Sequence, residues 1–248
     1  MGFIFSCGYS HFIASLIDFF ILIVALIIAY QSNKIYHFLK ENKYKFFSYS
    51  FLAIGLGYLF KIFSNFTVAH RIAIISPDFF TAVIKGLDKI QLFHFLSFII
   101  YKFFILIGFL LLLTILLKTN KKGEIALFIY LSIITLLFSI YFDAIYHLTI
   151  SIILLILTAH FYKNYEKTSS SNSKLVFIAF VLMLVGSIIA ALVGFSSANH
   201  LIGEIFLLLG FLILFANHII LNNENSKNGK KTNKDRSNKR YIRSAKKK

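Results

Sequence analysis

Between Phe12 and Leu221 the chain is a succession of apolar runs separated by short, mostly lysine-bearing breaks. A helix needs ~20 mostly apolar residues to cross the ~30 Å hydrocarbon layer of a bilayer, and these runs have that length. Of the 248 residues 58% are hydrophobic and thirty are Phe, with one Pro and a mean hydropathy of +0.78. One soluble core of this size cannot hide so much apolar surface. Lipid-facing helices can be apolar all round, because water is not their solvent. The expected fold class is an all-α, multi-pass bundle in the cell membrane.

The spans read as 12–30, 46–68, 92–117, 125–142, 146–162, 175–194 and 201–221. From Ile125 to Tyr162 the chain is apolar almost without pause. As one helix it would be ~57 Å long, nearly twice the membrane. The polar break Asp143-Ala144-Ile145-Tyr146-His147 therefore predicts a tight turn between the fourth and fifth helices.

The positive-inside rule tests this count. Lys34, Lys40, Lys43, Lys45, Lys118, Lys121, Lys122, Lys163, Lys167, Lys174 and eleven basic residues after Leu221 fall on one face. The other face has only Arg71, Lys85 and Lys89. Seven spans, N-terminus outside and C-terminus inside, satisfy every loop, whereas six would put the tail on the wrong side.

Residues 1–221 thus form the transmembrane domain and 222–248 a basic cytoplasmic tail, expected to be disordered because it has almost no apolar residues to bury. With a charge of +9, more than half of the chain's +16, the tail suits anionic lipid headgroups. It lacks the aromatic interleaving of a specific nucleic-acid site. Cys7 stands alone, which excludes an internal disulfide framework or a multi-thiolate zinc site.

Gly186, Ala190 and Gly194 form a small-residue stripe on helix six, echoed by Gly203 and Gly210 on helix seven. Such stripes let helices approach closely, within the bundle or across a homodimer seam. In the second loop, Ser76-Pro77-Asp78 reads as a helix start, and Phe79, Phe80, Val83, Ile84 and Leu87 share one face, with Gly86 as a stop. That pattern predicts a short amphipathic helix on the outer interface, a tether or a lid.

Ionisable groups inside a bilayer are expensive and mark functional candidates. Asp18 lies ~9 Å below the outer edge, Lys61 ~10 Å and Lys102 ~15 Å. Asp143 and His147 flank the outer turn, His94 begins helix three, and His200 and Glu204 open helix seven. The pairs Asp143/His147 and His200/Glu204 have the i, i+4 spacing that sets two side chains on one helix face. With His94 they comprise three imidazoles and two carboxylates, a donor set suited to zinc, although no cofactor is required. Hydrogen-bonded polar pairs or a ligand or proton path use the same residues. Asp18 needs a cationic partner, and Lys61 and Lys102 are the intramembrane candidates, unless Lys61 snorkels outward.

Three resemblances rest on these features. Seven helices with an outside N-terminus resemble the opsin and receptor-type architecture, but no lysine occurs between Lys174 and Lys227 to hold retinal. His200-Leu-Ile-Gly-Glu204 is similar to the His-x-x-x-His of zinc-dependent seven-helix hydrolases related to alkaline ceramidases and progestin/adiponectin receptors, with one ligand type changed. Lys43-Tyr-Lys-Phe-Phe-Ser-Tyr-Ser-Phe-Leu-Ala-Ile-Gly-Leu-Gly-Tyr58, with Asn199-His-Leu-Ile-Gly-Glu-Ile-Phe-Leu-Leu-Leu-Gly210, resembles uncharacterised archaeal-type seven-helix membrane proteins, a resemblance that implies no activity.

No P-loop, dinucleotide fingerprint or nucleophile elbow is present. The expectation is a non-enzymatic sensor or receptor-like module with an outward polar pocket built from Asp18, Lys61, Lys102, Asp143, His147, His200 and Glu204. Its output requires a separate signalling partner, since no loop is large enough for an output domain. The alternatives are a zinc-dependent hydrolase of lipid-like substrates and a small transporter or proton-coupled permease. The helices lack the breaks and internal repeat common in transporters.

Overall fold

The computed structural model describes residues 2–73, 80–117, 122–140, 142–192 and 200–220. These fold entirely as helices: α1 Gly2–Leu39, α2 Asn42–Ala73, α3 Phe80–Leu117, α4 Lys122–Ser139, α5 Asp143–Thr168, α6 Ser171–Ala191 and α7 His200–Ile220. Among the described residues, six helices (all but α4) are long and apolar enough to cross a membrane. The bundle carries its apolar side chains outward as well as inward. On α1, Leu16, Phe19, Phe20, Ile23, Leu26 and Tyr30 are all exposed while Ile21, Ala25 and Ile28 are buried. An apolar stripe of that length on the outside is a lipid-facing surface.

Two differences from the sequence reading concern helix limits. α3 is one continuous helix of 38 residues that runs straight through Gly86, so the separate amphipathic helix does not exist. An isolated Gly costs a helix only ~1 kcal/mol, and Leu87 to Leu117 contains no proline to enforce a stop. The proposed cap at Ser76-Pro77-Asp78 lies outside the described residues. The α4–α5 turn comes earlier than the polar break suggested. Phe142, extended at φ −133°, precedes α5, and Asp143 is that helix's first residue. A carboxylate there complements the helix dipole, so Asp143 starts the helix instead of interrupting it. The tail from 222 onward also lies outside the described residues.

The turns α1–α2 and α5–α6 share a construction. Lys40 and Ser169 adopt left-handed conformations (φ 52° and 49°), and their N–H groups donate to Tyr36 O and Tyr165 O at 2.7 and 2.8 Å. Each closes the last turn of its helix in the manner of an αL cap. Ser170 then caps α6, its Oγ accepting from Ser173 N at 3.1 Å.

Lipid tails are as apolar as leucine, so helix association depends on close packing and polar contacts. α1 packs on α2, α2 on α3, and α5 on α6; α4 lies outside, against α3 and α5. Glycines set the tightest approaches. A Cβ placed on Gly186 would lie 2.6 Å from Gly203 O, and one on Gly203 would lie 2.7 Å from Gly186 O. The small-residue stripe therefore seats α7 against α6 within the chain. Gly57 and Gly108 do the same between α2 and α3, where added Cβ atoms would sit 3.1 Å from Tyr101 O and 2.9 Å from Ser50 O. Phe211 of α7 then closes the core edge-on against Phe51 and Tyr58 of α2.

Candidate functional site

Two buried charge networks lie at the end of the bundle opposite the α1–α2 and α5–α6 turns. The first joins three helices. Tyr58, Lys61 and Asn65 fall at i, i+3, i+7 on α2, hence on one stripe. Lys61 Nζ donates to Asp18 Oδ1 of α1 at 2.8 Å and to Glu204 Oε1 of α7. Asn65 Nδ2 donates to Asp18 Oδ2 at 3.1 Å, and His200 Nδ1 lies 3.1 Å from Glu204 Oε1, one turn away on α7.

Burial makes this arrangement consequential. Asp18 is 0% exposed, Glu204 2%, and the Lys61 side chain 12%. Lys61 thus turns inward and does not snorkel. Asp18 finds the partner its position demanded, and that partner is Lys61. One lysine cation thus faces two carboxylates, with the His200 ring beside the second. The network's remaining acceptor is conspicuous: among the described residues, Glu204 Oε2 is buried without a hydrogen-bond partner.

The second network stitches the α4–α5 turn to α3. Lys102, also 0% exposed, ion-pairs with Asp143 Oδ1 at 2.7 Å and donates to the Ser139 carbonyl at 3.1 Å. Ser139 ends α4, so this lysine satisfies one of the carbonyls a helix C-terminus leaves open. Its ammonium also lies 3.8 Å above the Phe98 ring, within cation–π range. His147 Nε2 stands 3.7 Å from Asp143 Oδ2, one turn along α5. The Asp143 side chain is 44% exposed, so this network's carboxylate reaches solvent, whereas both carboxylates of the first are buried.

A cavity of about 40 Å³ lies between the networks, lined by Lys61 and His200 from the first, His147 from the second, and Tyr58, Tyr101 and Tyr146. A space of that size holds one or two waters or a small ion. Ser187 of α6 also borders it, accepting from Ser151 Oγ at 2.9 Å and donating to the His147 carbonyl at 3.1 Å.

Asp18, Lys61, His200 and Glu204 therefore assemble directly, Lys102, Asp143 and His147 assemble separately, and the cavity joins the two sets. His94 stands apart. Its Nδ1 lies 3.0 Å from Ser64 Oγ and 3.2 Å from Ser64 O. Among the described residues no three His, Cys, Asp or Glu side chains meet at a point that could hold a metal ion, so the five residues of the zinc-type donor set are divided among three places. Asn65 and the three tyrosines were not singled out from the sequence. The signal for Asn65 was its i, i+4 spacing from Lys61; the tyrosines come from three helices and share no local pattern.

No protein-family model matches this chain, and neither curated proteins nor solved structures show a match.

Proposed function

We propose that this protein is a seven-span membrane sensor, N-terminus outside and C-terminus inside, that takes up a proton or small monovalent cation at the Asp18/Lys61/Glu204 centre. The lysine distribution supports the orientation. α4, at 18 residues, is about 27 Å long, enough for a short crossing that returns the chain to the outer face. The single observation that carries the function is Glu204 Oε2, a buried acceptor without a partner among the described residues, in a network where two carboxylates share one lysine. A cation of charge +1 would supply the missing contact and balance the second carboxylate.

Size supports an ion over an organic ligand. Sites for small organic molecules occupy roughly 300–1,000 Å³, whereas the space beside Lys61 and His200 is about 40 Å³. No described three-ligand point favours the zinc hydrolase. Nothing in the helices suggests the moving repeats of a transporter, so uptake by the folded protein is read as sensing. The output would pass to a separate membrane or cytoplasmic partner.

Thermal unfolding of purified protein in detergent tests this, with one arm varying pH at fixed salt and the other exchanging Na⁺, K⁺ and an organic cation at fixed pH and ionic strength. An ion that binds only the folded state stabilises it by about 2.7 kcal/mol at one hundred times its dissociation constant. A proton taken up on folding makes stability rise as pH falls. One arm should show a shift in wild type that Glu204→Gln removes. Equal shifts in both proteins, or none in either arm, would reject the assignment.

A further inference from the structure

A second, larger cavity lies at the other end of the bundle. A cavity of about 400 Å³ opens near the α1–α2 turn, bordered by all the long helices: Ile28, Phe51, Ile115, Phe161, Phe180 and Leu214 come one each from α1, α2, α3, α5, α6 and α7. Its volume lies within the range of small-molecule sites, and its walls are almost wholly apolar.

The charged and amide groups lie toward the mouth, while the deeper Ser32 has its Oγ bonded to the Ile28 carbonyl at 2.7 Å. Lys43 is the second residue of α2, and Asn217 and His218 lie in the last turn of α7. Phe51 and Phe180 lie eight or nine residues inside their helices, about 12–14 Å deeper. The site therefore has a charged and hydrogen-bonding rim over a greasy shaft. Two rim atoms lack partners among the described residues: Asn217 Oδ1, on a side chain 5% exposed, and His218 Nε2. A buried acceptor left unmade, such as the Asn217 carbonyl, keeps its desolvation cost unrepaid, so the rim calls for a donor. Lys43 pairs with Glu41 at 2.5 Å, both side chains more than half exposed, and its ammonium lies 4.9 Å over the Tyr44 ring; such exposed pairs are weak and yield readily to an anion.

We infer that this cavity binds an anionic, hydroxyl-bearing glycerophospholipid from the adjoining leaflet. The phosphate sits on Lys43, a headgroup hydroxyl donates to Asn217 Oδ1 or His218 Nε2, and an acyl chain fills the shaft between Phe51, Phe161 and Phe180. The occupant follows from three requirements the rim and shaft impose together: negative charge, a hydrogen-bond donor, and a long apolar body. The lysines of both neighbouring turns (Lys40, Lys45, Lys163, Lys167 and Lys174) enrich the same leaflet in anionic lipid. Asp18, Lys61 and Glu204, at the other end, do not line this cavity.

Delipidated full-length protein would be titrated with phosphatidylglycerol or with phosphatidylcholine of the same chains, and bound lipid counted by native mass spectrometry. One tightly held phosphatidylglycerol is expected, with phosphatidylcholine at least tenfold weaker. Asn217→Leu and Lys43→Gln should each weaken binding about tenfold, the factor that 1.4 kcal/mol represents. Asn217→Leu should do so without lowering the melting temperature, because it removes an unpaired acceptor. Val176→Trp, from a residue on the shaft wall, should block the site. Equal affinity for the two lipids, or wild-type binding by a folded Val176→Trp protein, overturns the inference.

Discussion

Replacing Lys61 by Met separates the two charge networks energetically. The substitution keeps most of the apolar stem and removes the charge, leaving Asp18 and Glu204, at 0% and 2% exposure, without their shared cation. Breaking a buried pair by removing one member costs ~3–5 kcal/mol, because the remaining charge is left desolvated. Here two carboxylates lose the same partner, which places the expected loss at the upper end of that range. Lys102→Met is the internal control. It too removes a fully buried lysine, but its carboxylate partner Asp143 is 44% exposed and recovers solvation by water. The cost should then be about 1 kcal/mol for the ion pair plus ~1 kcal/mol for the released Ser139 carbonyl.

Reversible unfolding in mixed micelles, compared at one pH, reads both values. The triple variant Asp18→Asn, Lys61→Met, Glu204→Gln should recover most of the loss, since no buried charge remains to be desolvated. If Lys61→Met costs no more than Lys102→Met, or the triple variant recovers nothing, then burial is not what makes the first network expensive, and the reasoning fails.

The remaining predictions concern packing and topology. Gly186→Ala should lower stability by roughly 1–3 kcal/mol, because the new methyl meets the rigid Gly203 carbonyl at 2.6 Å, and the melting temperature reports it. Gly55→Ala meets only the movable Leu26 Cδ2 at 3.3 Å and gains ~1 kcal/mol of helix propensity, so it should leave that temperature unchanged or raise it. On a Cys7→Ser background, Phe142→Cys in the α4–α5 turn should react with a membrane-impermeant maleimide from outside intact cells. Ser169→Cys in the α5–α6 turn should react only after permeabilisation; the reverse pattern would invert the topology.

Much of this architecture is legible in the chain because long apolar helices impose their own period. The all-helical class followed from run length, although α1 and α3 run well past the spans read at 12–30 and 92–117; the stripe of Gly186 and Ala190 marked a close helix approach without naming α7 as the partner. Where the reading went astray, local signals competed. Gly86 looks like a stop, yet the apolar run beyond it propagates the helix at little cost, so α3 passes through. Asp143 looks like a break, yet at a helix start its charge is welcome.

The choice of Lys61 over Lys102 as the partner of Asp18 was not readable, because it depends on which helices are neighbours. α1 packs on α2, and nothing within either segment states that. The cavity at the lysine-rich end was invisible for the same reason. Its wall takes residues from six helices, and Asn217 and His218 in isolation look like ordinary polar residues at a membrane boundary.

The two ends of the molecule are connected by one helix. α2 is the least apolar of the six long helices, and its polar content is sorted along its length. Lys43, Phe47 and Phe51 border the large cavity, while Tyr58 and Lys61 border the small one. Gly57 on α2 and, at another level, Gly108 on α3 let the two backbones approach until an added Cβ would lie 3.1 Å from Tyr101 O or 2.9 Å from Ser50 O. α2 and α3 are therefore closely joined at two levels.

α7 is attached to that pair differently, by the rings of Phe211 on Phe51 and Tyr58 and by the Lys61–Glu204 contact. Ring contacts tolerate small shifts; backbone-to-backbone contacts do not. A cation that joins or loosens the Lys61–Glu204 contact would thus move α7 against the joined α2–α3 pair. Since α7 also carries Leu214, Asn217 and His218 into the large cavity, the displacement would reach the lysine-rich end through a single rigid element. Gly186 and Gly203 lock α7 to α6, so the two helices would move together, and the side chains between α7 and α2 are where the bundle can give.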